Sequence, residues 1–148
     1  MLETEAPGGG RAFVFCTNGG GLARYENGAF TIDDVSTGLP SNSATAVLET
    51  AGREGSRALW VGTFGGGLAR RDGSRWIVFS SRNGLPDDKV TCLLEAGPED
   101  ARELWVGTYG GGVTRYRGGA WVPLAGLPNG KVGDLLEKMQ AQAAPAPK

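Results

Sequence analysis

Apolar residues fall in short runs separated by glycine-rich polar stretches, and the order of runs repeats. Phe13–Thr17, Leu59–Thr63 and Leu104–Thr108 are rich in aromatic and β-branched residues and lead into glycine, as buried strands do. The triplets Gly19–Gly21, Gly65–Gly67 and Gly110–Gly112 supply the positive φ of a tight connection. Leu22–Tyr25, Leu68–Arg71 and Val113–Tyr116 are the predicted returning strands. Asn27-Gly28, Asp72-Gly73 and Gly118-Gly119 then mark a second hairpin into Ala29–Ile32, Arg75–Phe79 and Ala120–Leu124. Gly-Leu-Pro, beginning at Gly38, Gly84 and Gly126, breaks the chain before Ala44–Glu49, Val90–Glu95 and Val132–Glu137. Lys131–Gln142 alone could pass for a helix, but its alignment with Lys89–Glu95 predicts a strand.

The repetition is close. L-W-V-G-T occurs at Leu59 and again at Leu104, with F-V-F-C-T at Phe13 as a worn first copy, and the triplets follow at steps of 46 and 45 residues. Arg24, Arg70 and Arg115 recur downstream, followed by Phe30, Trp76 and Trp121, and each copy closes on a glutamate, Glu49, Glu95 or Glu137. Four strands per unit at a period of ~40–50 residues predict an all-β fold of the β-propeller kind, with three four-stranded blades. The repeats span about 11–56, 57–101 and 102–138. Residues 1–10 read as a flexible polar segment and 139–148 as a disordered Ala/Pro tail.

The pattern L-W-V-G-T-x-G-G-G-L-x-R, followed by N-G-L-P-x-x-x-V-x-x-L-L-E, resembles the two-component regulator propeller repeat, whose blades build sensor ectodomains of bacterial hybrid receptors. The resemblance covers roughly residues 11–137. It implies that the strand after Gly-Leu-Pro is innermost in each blade and that L-W-V-G-T is second. The first blade then lacks an inner strand and Val132–Glu137 lacks a blade. Three blades do not close a ring, since propellers need ~4–8. A two-fold dimer in which each Val132–Glu137 pairs beside the partner's Phe13–Thr17 would give six blades and no open edge. A nine-bladed trimer and a stretch of a longer propeller are the alternatives.

Composition narrows the chemistry. Glycine accounts for 26 of 148 residues, about 18% against a usual ~7%, and the repeat assigns many of them to turns. The absence of His removes Ser-His-Asp and Cys-His catalysis and two-His zinc sites. Two cysteines, Cys16 and Cys92, are too few for a thiolate metal site and are expected as buried free thiols. A net charge of −1 without a basic stripe argues against nucleic acid. No apolar run approaches the ~18 residues of a membrane span. Met1–Glu5 does not open like a signal peptide, so the chain is expected to be cytoplasmic as written, or periplasmic or extracellular if cut from a sensor ectodomain.

Most recurring residues are expected to build the scaffold. The triplets have the wrong spacing for a phosphate loop and precede a strand. Arg24, Arg70 and Arg115 fit blade-to-blade bonds, the recurring glutamates fit bonds to backbone or arginine, and Trp60, Trp76, Trp105 and Trp121 fit packing between blades. Binding is sought where residues vary on the loop face: Asn18, Phe64 and Tyr109 before the triplets, and Ser41, Asn42, Asp87, Asp88, Lys89, Asn129 and Lys131 after Leu-Pro. Aromatic rings beside amides and mixed charges suit a saccharide or peptide. The expected function is a non-enzymatic assembly and recognition module without metal or cofactor, whose partner is a second copy of itself. A sensor-ectodomain fragment recognising oligosaccharides and a carbohydrate-active propeller enzyme are the other readings.

Overall fold

The computed structural model describes residues 1–6, 9–51, 57–72, 75–98, 102–117 and 119–123. They form three four-stranded antiparallel sheets, each a simple meander. Blade 1 comprises β1 (Leu2–Glu5), β2 (Arg11–Cys16), β3 (Leu22–Glu26) and β4 (Ala29–Asp33). Blade 2 comprises β5 (Ala44–Ala51), β6 (Arg57–Thr63), β7 (Leu68–Asp72) and β8 (Arg75–Phe79). Blade 3 comprises β9 (Val90–Ala96), β10 (Glu103–Thr108), β11 (Val113–Arg117) and β12 (Ala120–Pro123). The architecture is all-β and consistent with propeller blades. One short 3-10 turn, Val35–Thr37, leads into Gly38 of the first Gly-Leu-Pro.

Blade 1 corrects two expectations. The supposedly flexible N-terminal segment contains a strand, since β1 pairs with β2 from Leu2↔Val14 to Glu5↔Arg11. The physical reason is a short echo of the repeat: Leu2-Glu3-Thr4 matches Leu48-Glu49-Thr50. Leu2 packs against the core, and Glu3 pairs with Arg11 as Glu49 pairs with Arg57. The place beside β2 intended for a partner's Val132–Glu137 is therefore already filled. Val132–Glu137, the Gly126 turn and the 139–148 tail lie outside the described residues.

Two apolar layers hold the blades together. Val14, Leu22, Leu59 and Val61 meet between blades 1 and 2, and Trp60, Leu68, Leu104 and Val106 between blades 2 and 3. Leu39 and Leu85, the leucines of Gly-Leu-Pro, plug these layers at 3% exposure each. The preceding glycine is required on steric grounds: at Gly84 (φ 125°) a Cβ would lie 2.4 Å from Cδ1 of Trp121 in the next blade.

Each triplet turn is clamped in the same way. Thr17, Thr63 and Thr108 donate both backbone N–H and hydroxyl to the carbonyl of the third glycine; the hydroxyl bonds measure 2.7, 2.8 and 2.9 Å. The next inter-blade loop is tied in turn. Asn42 O accepts from Gly19 N and Gly21 N at 3.0 and 2.7 Å, and Asp88 O from Gly65 N and Gly67 N at 3.0 and 2.8 Å.

Glycines of one triplet should differ sharply in tolerance. A Cβ at Gly67 (φ 87°) would lie 2.2 Å from the Phe79 carbonyl oxygen, whereas one at Gly65 (φ 106°) meets nothing within 4 Å. Gly65→Ala is expected to cost about 1–2 kcal/mol, the left-handed backbone penalty alone. Gly67→Ala adds a backbone collision and should lose roughly 3 kcal/mol or more. Urea midpoints of the two variants check this, and equal losses contradict it. Deleting Met1–Glu5 should uncover the β2 ladder edge and give aggregated or unfolded protein in gel filtration. A monodisperse deletion variant that melts cooperatively refutes the role given to β1.

Candidate functional site

The clamped loops align one variable residue per blade along the loop face. Asn18 Oδ1 accepts from Ser43 Oγ at 3.1 Å, and isolated bridges link Asn18 to Ser43 and Phe64 to Lys89. Phe64 N donates to Ser43 O (2.9 Å) and Tyr109 N to Lys89 O (2.8 Å), so each variable residue is hung on the preceding inter-blade loop. The side chains of Phe64 and Tyr109 consequently meet edge to face, with centroids 5.9 Å apart at 73°. Lys89 Nζ stands 5.5 Å from the Phe64 ring centre and 5.7 Å from that of Tyr109. The rings are nevertheless 45% and 66% exposed. Among the described residues no carboxylate lies within ion-pair distance of Lys89. The trio offers two apolar ring surfaces and a cation, a combination able to stack on a flat apolar face and attract a carboxylate.

The other loop-face candidates bond mainly to their own backbone. Asn42 Oδ1 accepts from Val35 N (2.9 Å), and Asp88 accepts from Ser81 N (2.7 Å) and Ser81 Oγ (3.1 Å). Asp87 takes Lys89 N at 3.0 Å and Gly110 N at 2.9 Å, and Ser41 Oγ takes Ser43 N at 3.1 Å. These side chains fix the loops that position the aromatic trio. Nearby, hydrogen bonds from the hydroxyl and N–H of Ser36 hold the Asp34 carboxyl below its ordinary range. That cap on Val35–Thr37 is therefore in place at neutral pH and is lost only as acid protonates the lowered carboxyl. Asn129 and Lys131 lie outside the described residues.

The recurring residues serve the blades. The arginine partners lie within a blade rather than across blades: Arg24 Nε bonds Glu26 at 2.9 Å, Arg70 stacks on Trp60 at 5.4 Å, and Arg115 stacks on Trp105 at 5.6 Å. Glu49 and Glu95 pair with Arg57 (2.6 Å) and Arg102 (3.4 Å), and Glu49 also accepts from Thr4 Oγ1 at 2.7 Å. Glu137 is outside the described residues. Trp60 and Trp121 pack between blades 2 and 3, and Trp76 between blades 1 and 2. Cys16 and Cys92 are half-buried, and burial pushes the Cys16 thiol up against the weaker pull of the N-terminal ammonium.

A second concavity, about 600 Å³, opens between blades 1 and 2, lined by Arg24, Glu26, Asp33, Glu49, Arg57 and Arg71. At the matching positions between blades 2 and 3 sit packed rings: Phe79 and Tyr116 stand where this cleft has Asp33 and Arg71, and Trp60 stands at the position of the buried Val14. The loss of that ring volume leaves the cleft, and the ring contact of Phe79 with Tyr116 is replaced by an Arg71–Asp33 ion pair at 3.4 Å. Its sequence signal is a departure from the repeat, which a search for recurring residues passes over. Among the described residues no group of three or more His, Cys, Asp or Glu could hold a metal ion.

Compared with known proteins, the chain matches no protein-family model and no curated protein.

The ion pair and the ring pair should be interchangeable only together. Asp33→Phe alone removes the carboxylate facing Arg71 and is expected to lower stability by about 1 kcal/mol, a value moderated by the partial exposure of Arg71. Asp33→Phe combined with Arg71→Tyr introduces the counterpart of the Phe79–Tyr116 ring pair and should match or exceed native stability. A double-mutant cycle read by chemical denaturation tests this; additive losses contradict it.

Proposed function

We propose that this chain is a non-catalytic propeller module related to the two-component regulator repeats, working as a six-bladed ring of two copies and using its loop face for recognition. The observation that carries the recognition reading is the exposed trio of Phe64, Lys89 and Tyr109, held by main-chain bonds at one inter-blade junction. Its ligand is a saccharide or peptide that presents a flat apolar surface next to a carboxylate. Stacking uses the rings, and the Lys89 ammonium answers the acid. The clamped backbone supports such a role because the rings need little ordering upon binding.

Panels of immobilised acidic glycans and peptides provide the test. The native protein should retain at least one member of the panel. Phe64→Ala with Tyr109→Ala should weaken retention tenfold or more, with unchanged solution mass and melting behaviour. Equal retention by the double variant removes the trio from the site, and no retention of any panel member by native protein counts against the recognition reading.

A further inference from the structure

The chain builds one ring-on-ring interface between blades, and residues of both its halves recur on blades 1 and 3, where among the described residues they do not meet. In blade 3, Tyr116 and Trp121 form a tilted pair with centroids 4.8 Å apart at 53°. That pair seats on blade 2: Tyr116 lies 5.6 Å from both Trp60 and Phe79, and Trp121 lies 5.5 Å from Phe79. Arg70 stacks over the same Trp60 and Phe79 rings, at 5.4 and 5.8 Å.

Blade 1 presents the incoming half. Tyr25 and Phe30 hold the repeat positions of Tyr116 and Trp121 and adopt nearly the same geometry, 4.8 Å apart at 52°. Among the described residues no blade lies in front of them, and they are 38% and 65% exposed. Blade 3 presents the Trp–Arg part of the receiving half; the position of Phe79 falls on Leu124, outside the described residues. Trp105 and Arg115 hold the positions of Trp60 and Arg70, with the guanidinium 5.6 Å from the ring. Among the described residues no other aromatic ring meets Trp105, and Arg115 Nε is a buried donor without a partner.

We infer that Tyr25 and Phe30 of one copy dock on the Trp105–Arg115 face of a second copy, with Tyr25 on Trp105 repeating the contact of Tyr116 with Trp60. The inference rests on the two-copy ring proposed above for its stoichiometry, and it replaces strand exchange with face docking because β1 already occupies the inner place of blade 1. The contact joins different surfaces, so it either closes or propagates. Two copies of three blades give six, within the ~4–8 that close, whereas three copies overshoot that range. Closure by two copies makes the contact twice, leaving neither ring pair in water.

Light scattering over a concentration series, with circular dichroism as the folding check, tests the docking. Native protein is expected at twice its 15.4 kDa chain mass. Tyr25→Ser with Phe30→Glu alters exposed side chains and should give folded chains that associate at least a hundredfold more weakly. Phe30→Ala alone should weaken association about tenfold, and Phe64→Ala with Tyr109→Ala, on the loop face, should leave it unchanged. A native monomer at every concentration overturns both the ring and the docking. A dimer indifferent to Tyr25 and Phe30 overturns the docking and leaves the ring. Dimerisation lost only when residues 129–148 are removed overturns the docking in favour of strand exchange.

Discussion

The structure depends on a main-chain clamp repeated at the end of the second strand of each blade. A threonine closes the glycine turn by bonding its last carbonyl twice, and where the next loop follows, two glycine N–H groups grip a single carbonyl, Asn42 O or Asp88 O. Buried backbone groups must be paired, and this arrangement pairs them across the blade junction as well as within it. At the third position of the first two turns a side chain has no room, because Asp33 O and Phe79 O occupy the space of a Cβ on Gly21 and Gly67. Blade spacing, the seat of Leu39 and Leu85 and the alignment of the loop face all follow from the clamp.

On that common frame the two junctions use opposite chemistry. Between blades 2 and 3, Trp60, Phe79, Tyr116 and Trp121 form a continuous aromatic cluster. Between blades 1 and 2, Arg71 meets Asp33 and lies over Trp76 at 5.5 Å, with a cleft left open beside it. The backbone hydrogen bonds around both junctions are alike, so strand pairing does not require either solution. The difference lies in side chains, where a ring-filled junction excludes water and an ionic one admits it.

Strands and turns were legible because they rest on local signals. Asn27-Gly28 takes positive φ at both residues, 52° and 80°, as a tight hairpin demands, and Gly-Leu-Pro buries its leucine at both described junctions. β1 was missed because its echo is only Leu2-Glu3-Thr4, well below the length of L-W-V-G-T, and its meaning comes from pairing with β2. The loop polar residues were harder still. Nothing in the sequence distinguishes an Asp88 that caps Ser81 from one that faces a ligand, since the distinction rests on a bend seven residues back. The aromatic pair was found at the level of residue type, and the placement of Lys89 between its rings is a product of the fold.

The clamp is made almost wholly of backbone atoms, with threonine hydroxyls as its side-chain part. The residues ahead of the second and third triplets, Phe64 and Tyr109, enter the network through their peptide N–H and leave their side chains outside it, whereas Asn18 adds a side-chain bond to Ser43. Sequence drift at Phe64 and Tyr109 therefore escapes the selection that preserves the clamp. A duplicated blade can inherit its geometry unchanged while its surface chemistry diverges, as one amide and two different aromatic rings on the same turn already illustrate.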